Sequence, residues 1–437
     1  MNRPKAALCF SILLLVTGFL LITSTEQQSL TVTTTTTANP NARQPISFVI
    51  QGVTARINVL YYCPTCTKPL SYQPNGWSTL RQLNVNLLRL GGGSEGDVAH
   101  FNINNYPNEW AQNFNSFLST ANQYGIKVYF VHMGNRFGTL FGIVCPEPSQ
   151  GVVGTSIRDA KTMIDALAGN NALNHNFITD PRVFGWSVAN EVDISNPTTY
   201  HWVIQILDYI SAKGGKAWVS APIDSRITNA YGFVGEMDFN KIEPLLRGHV
   251  DYLEIHMYQP VIVADAIKNH REVYVTMYSW FTQLIQNLML GEATSGSIPV
   301  DHMIIGEFGI IHGNFSWTFD MQTVDFNDTV RSDYYRAMFW AANDNGIKMI
   351  CNFELWDNTD SRGGENTPAY GIIYLNGTFS GPVTIMEQFY LTLPTASGGL
   401  VYVVLGGLNR ESWIGVGANS NFLTSLRLLN VTQGLLS

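Results

Sequence analysis

The chain has 437 residues, 45% of them apolar and 13% charged, with a formal net charge of −8. That balance allows a large core, in one domain or two. With no basic cluster beyond the first few residues, it argues against nucleic acid as a partner.

The N-terminus reads MNRPKAALCFSILLLVTGFLLITSTEQQ, with Arg3 and Lys5 ahead of an apolar run from Ala6 to Ile22. This is the order of a secretory signal or a retained signal anchor, and residues 1–23 are assigned to it. No convincing small-x-small cleavage site follows, which tilts the reading slightly towards the anchor. Residues 24–45, including SLTVTTTTTANPNARQP, form a Thr-rich linker with little to build a core from. The positive flank places the remainder outside the cell, secreted or anchored to the surface by residues 6–22. Sequons at Asn314, Asn327, Asn376 and Asn430 are compatible with that side. Cys63 and Cys66 form a CPTC pair and Cys145 lies in another loop, so an exported chain would join two of the three in a disulfide. Cys351, inside an apolar run, reads as a buried small residue.

From Ser47 onward, short apolar runs alternate with stretches of helical periodicity. In order the runs are SFVIQGV, VNLLRLG, IKVYFVH, VFGWSVAN, KAWVSAP, VDYLEIHMY, HMIIGEFG and KMICNFELW. Helices are expected between them, for example WAQNFNSFLSTANQYG and DTVRSDYYRAMFWAANDNG, each ending on Gly. Apolar strands alternating with helices predict parallel strands covered on both faces. Eight such units predict an α/β fold, a (β/α)8 TIM barrel over residues 46–394. No G-x-G-x-x-G turn follows the first strand, so a dinucleotide fold lacks support. Residues 395–437 are apolar and Gly-rich, and are expected to pack as an extension on the barrel.

In such barrels the chemistry gathers at the C-terminal strand ends. There the sequence places Arg89, His132, the pair Asn190 and Glu191, His256, Tyr258, Glu307 and Trp356. Two glutamates on the fourth and seventh strands would face each other across the mouth. Glycosidic cleavage needs such a pair, and a separation of about 5–5.5 Å would imply retention of configuration. For His132 and His256 a structural role that orients neighbours stands beside the functional one. His256, Glu254 and Glu307 are residue types that can ligate a metal. Glu254 is expected to have the opposite strand parity to Glu307's partners, and neither a metal nor an organic cofactor is expected. Glu354 and Asp357 flank Trp356, with a salt-bridged structural role expected for Glu354. Trp77, Trp110, Trp202, Trp280 and Trp317 divide between core and outer sugar subsites, with core the larger share.

Taken together and in order, these strand ends resemble the retaining (β/α)-barrel glycoside hydrolases of family 5, the cellulases and mannanases, or a close family of the same clan. The resemblance implies Glu191 as acid/base and Glu307, in IIGEFG, as nucleophile. It implies that Arg89 holds the nucleophile, and that His132, Asn190, the His256-x-Tyr258 pair and Trp356 support or bind the sugar. Val192 follows Glu191 where the family often has proline. The implied activity is retaining hydrolysis of a β-linked glucan or mannan, polysaccharide or oligosaccharide. A transglycosylase using the same residues and a non-catalytic glycan-binding surface protein are the alternatives.

Overall fold

The computed structural model describes residues 50–55, 60, 75–91, 99–131, 141–143, 155–190, 192, 194, 196–222, 244–291, 298–316, 323–356, 370–374, 377–390, 400–403 and 414–417. They belong to one compact unit, Pro45–Leu405 with Asn409–Ser437. The N-terminal run, the Thr-rich linker and Cys63, Cys66 and Cys145 lie outside the described residues. No helix among the described residues is long and apolar enough to cross a membrane.

Along the chain come β1 (Ile50–Ala55), α1 (Gly76–Gln82), β2 (Leu87–Gly91), α2 (Trp110–Gln123), β3 (Lys127–Val131), α3 (Ile157–Leu167) and β4 (Val183–Ser187). Next are α4 (Pro197–Ala212), β5 (Ala217–Trp218), β6 (Ser220–Pro222), β7 (Leu253–Met257), α5 (Pro260–Lys268), α6 (Val273–Gly291) and β8 (Met303–Phe308). A hairpin of β9 (Gly313–Ser316) and β10 (Thr323–Phe326) precedes α7 (Asp328–Asp344), β11 (Met349–Asn352) and α8 (Gly381–Phe389). Finally β12 (Leu400–Val403) and β13 (Ile414–Gly417) pair antiparallel.

Each of the eight apolar runs supplies a strand of one sheet, ordered β5-β4-β3-β2-β1-β11-β8-β7-β6, with every pairing parallel. Its two outer members, β5 and β6, are separated only by Val219. The fifth run therefore pairs with β4 through its first half and with β7 through its second. The sheet closes on itself, and the chain is a (β/α)8 barrel.

Local chemistry sets the helix ends. Ser156 accepts a hydrogen bond from the Asp159 amide at the start of α3, and Asn196 caps α4 ahead of Pro197. Asn327 Oδ1 accepts from the amides of Thr329 and Val330 at the start of α7. Beyond the C-terminal end of α7, Gly346 takes φ +80°, a left-handed conformation that costs glycine little. The apolar stripe of α2 buries Trp110, Phe114, Phe117, Leu118 and Ala121. Phe114 lies 5.0 Å from both Phe130 of β3 and Phe141, ring centre to ring centre. Truncating such a ring would cost about 3–5 kcal/mol.

Inside the barrel, Leu87, Tyr129, Trp218, Ile304, Met349 and Cys351 form a separate buried cluster. Because alternate residues of a strand face the same way, Leu87 and Arg89 stack along one wall. The Trp218 indole has room only because β4 carries Gly185, where a Cβ would lie 2.2 Å from the ring. The apolar layer thus forms a floor, and the strands lift polar side chains above it.

Candidate active site

Arg89 stands at the centre of this polar layer, with 1% of its surface exposed. Its Nη1 meets Glu307 Oε1 at 2.5 Å and its Nε donates to Glu254 Oε1 at 3.0 Å. Nη2 donates to Asn190 Oδ1 at 3.1 Å and approaches His256 Nε2 at 3.2 Å. One guanidinium therefore ties together β2, the end of β4, β7 and β8. A planar five-donor fork suits this better than a lysine would.

Glu307 is nearly buried. Besides Arg89 it accepts a 2.5 Å hydrogen bond from the Tyr258 hydroxyl at Oε2, and His256 Nδ1 stands 3.5 Å from the same oxygen. Both carboxylate oxygens are thus held in place. Asn190 is oriented equally firmly: its Oδ1 also accepts from Ser220 Oγ at 3.1 Å. Arginine can only donate, so the oxygen of this amide must face Arg89 and its Nδ2 is left to point elsewhere.

Glu254 is fully buried and accepts at Oε1 from Arg89 and from the Tyr129 hydroxyl at 3.1 Å, and at Oε2 from Trp218 Nε1 at 2.8 Å. His256 Nε2 lies 3.1 Å from the same Oε1. Burial alone would push this carboxyl up, but Arg89, His256 and Trp218 outweigh it and hold Glu254 far below the usual carboxylate range. For Arg89, burial pulls the guanidinium down while Glu307, Tyr129 and Glu254 raise it, and the result is well above the ordinary arginine value. His256 Nε2 faces a donor on Arg89 and an acceptor on Glu254, so it satisfies one of them at a time.

The structure brings Arg89, Asn190, His256, Tyr258 and Glu307 into one network. Trp356 is half-buried and bridges to Ile373 at the end of the eighth run. Glu191 and His132 lie outside the described residues, as do Asp357 and Trp317. Among the other tryptophans, Trp77, Trp110 and Trp202 are core residues and Trp280 packs half-buried against the core. Glu354 is buried.

Glu254 requires a correction. It does not stand apart from Glu307's partners: residues 254, 256 and 258 share one parity, so Glu254 joins His256 on the interior wall and shares Arg89 with Glu307. That alternation was the available signal. Tyr129, Trp218 and Ser220 were also missed, and here no local signal existed. Tyr129 stands beside Arg89 through the register between β2 and β3. Ser220 stands beside Glu254 through the register between β6 and β7.

Among the described residues no group of three or more His, Cys, Asp or Glu side chains is arranged to hold a metal ion. The arrangement instead offers one oriented carboxylate, a neighbouring amide, and beneath them a buried cation shared between two carboxylates.

No family model matches the chain, and no curated protein matches it. Among solved structures it is similar to a beta-glucuronidase of Faecalibacterium prausnitzii, at 12% identity, 80% of this chain and 50% of that one, with a TM-score of 0.50. A b-glucuronidase from Ruminococcus gnavus in complex with D-glucuronic acid gives 11% identity, 79% and 49% coverage and a TM-score of 0.48. A hyperthermostable endo-1,4-beta-D-mannanase from Thermotoga petrophila gives 16% identity, 79% and 99% coverage and 0.49. The chain spans about half the length of the beta-glucuronidases it matches. At 12% identity, what the first likeness shares with this chain is its fold, the barrel that the strand pairing already closes.

Proposed function

We propose that the chain is a retaining β-glycoside hydrolase acting on a β-linked glucan or mannan. The observation that carries this reading is Glu307, gripped at both carboxylate oxygens by Arg89 and Tyr258 at the end of β8. A carboxylate held this way is aimed, which is what attack on an anomeric carbon requires.

In this reading Glu307 attacks the anomeric carbon while Glu191, next in sequence to the anchored Asn190, protonates the departing glycosidic oxygen. The bond to the leaving sugar breaks as the bond to Glu307 forms. Glu191 then removes a proton from water, which attacks the same carbon and frees Glu307. Asn190, whose oxygen is engaged by Arg89 and Ser220, has its Nδ2 to offer a sugar 2-hydroxyl. Trp356 would lie against a pyranose ring, and His132 would complete the cup. The neighbours' names, glucuronidase and mannanase, are in keeping with a β-glycoside substrate.

Reducing-sugar release from β-glucans, mannans, xylans and aryl β-glycosides tests the reading. The parent should release sugar from at least one, with the β-anomer appearing first by NMR. Glu307→Gln should lower kcat by on the order of 10³-fold or more, and Glu191→Gln by about 10²–10⁴-fold on substrates with poor leaving groups. Full activity in either variant, or no release by the folded parent, refutes it. Products longer than the supplied oligomer would move the assignment to a transglycosylase, and binding without turnover to a glycan-binding protein.

The chain's placement outside the cell, through residues 6–22 and the Thr-rich linker, belongs to the same proposal, with residues 46–394 as its catalytic unit. The sequon residues Asn314 and Asn327 are exposed, as glycan acceptors would need to be.

A further inference from the structure

Glu254 is a buried carboxylate that a two-glutamate mechanism leaves without a task. Four donor groups from separate parts of the barrel surround it: Arg89 of β2, Tyr129 of β3, Trp218 of β5 and His256 of its own strand. β8 gives way for it as well. A Cβ at Gly306 would lie 2.1 Å from Glu254 Oε1 and 2.5 Å from its Cδ, so the residue before Glu307 has no side chain and Glu254 reaches Arg89 across it.

Stability is a weak reason for such an arrangement, because apolar residues of similar volume commonly replace a buried ion pair without loss. The geometry supplies a better one. The cation that serves Glu307 through Nη1 is the cation that serves Glu254 through Nε. Among the described residues Arg89, His256 and Tyr258 touch Glu307, and Tyr129 and Cys351 lie near enough to act on it electrostatically. Those facing Glu254 are Arg89, Tyr129, Trp218 and His256, with the Cys351 thiol of β11 in the same interior.

We propose that Glu254 is a positioning residue for Glu307: it anchors Arg89 at Nε and His256 at Nε2, fixes the guanidinium plane, and divides its charge between two carboxylates. Glu307 is thereby aimed without being neutralised by a whole cation of its own, which would blunt it as a nucleophile. The inference rests on the reading of Glu307 as the attacking group.

The test has one readout without substrate and one with it. In the full-length parent the Arg89 Nε–H should give a protected ¹H–¹⁵N resonance, assigned by its loss in Arg89→Met. Glu254→Gln should speed its exchange at least about tenfold, the loss of a charge-assisted hydrogen bond, while Glu307→Gln leaves it protected. On whichever β-glycan the parent cleaves, Glu254→Gln should move the acidic limb of kcat/KM to lower pH by about one unit or more, since one negative charge has left the site. Glu254→Asp, a retained charge on a shorter arm, should fall between parent and Gln in both readouts. Should Glu254→Gln fail to fold, Glu254→Asp decides alone. An unchanged Arg89 resonance, or uniformly lower activity with an unmoved acidic limb, overturns the proposal. If no glycan is cleaved at all, the glycosidase reading fails while the Arg89 resonance still decides this one.

Discussion

Replacing Arg89 with methionine removes the cation that Glu254 and Glu307 share and leaves a chain of similar length. Arg89 is 1% exposed and Glu254 0% exposed, so Glu254 recovers little water, while Glu307 is 7% exposed. Breaking a buried pair from one side costs about 3–5 kcal/mol. With roughly 2 cal/mol/K of unfolding entropy per residue, that lowers Tm by about 4–7 °C for a barrel of this size. The pH dependence is the sharper expectation. In the parent, Glu254 is held below its unfolded value of 4.5, so its contribution to stability is present above that pH and is lost as pH falls further. Without Arg89, burial dominates and pushes the carboxyl up. The charged form then destabilises the fold near neutrality, and stability should rise as pH falls from 7 towards 5. Thermal unfolding at matched ionic strength across pH 4–8 reads the difference. Adding Glu254→Gln to Arg89→Met should recover part of the loss, because it deletes the orphaned charge. A variant whose Tm does not rise as pH falls from 7 towards 5, with no recovery in the double variant, would refute the reasoning.

Tyr258→Phe removes one of the donors to Glu307 and should lower kcat about 10- to 100-fold, the worth of a hydrogen bond to a charged group, with far-UV and near-UV circular dichroism unchanged. Equal turnover would mean that the 2.5 Å contact does not orient Glu307. Gly306→Ala should cost about 1–3 kcal/mol by overpacking, since Glu254 is pinned by its donors and cannot swing away from the new methyl; chemical denaturation measures it, and a neutral result would show that Glu254 is not pinned. Asn327→Ala should cost about 1 kcal/mol through loss of the cap on α7, visible in the same denaturation and without effect on turnover.

The barrel was legible in the chain because its evidence is local. Buried parallel strands need uninterrupted apolar runs, helices need a 3.6-residue stripe and a stop, and both survive in one dimension: VNLLRLG and VFGWSVAN announce β2 and β4 before any contact is known. The polar residues of the network were legible for the same reason, since a polar group near the end of an apolar run lies towards the strand's C-terminal end whatever its neighbours are. Arg89, Asn190, Glu307 and the His256-x-Tyr258 pair were found this way. What tertiary structure decided was the pairing. Register sets Tyr129 beside Arg89, closure through the split at Val219 brings Trp218 and Ser220 within reach of β7, and a missing side chain at Gly306 opens the path from Glu254 to Arg89. These contacts join residues as far apart as 165 positions, and no periodicity along one strand carries the register of the next. The chain alone therefore pointed to Arg89, Asn190, His256, Tyr258 and Glu307, and only the closed barrel determined which carboxylate shares its cation with which.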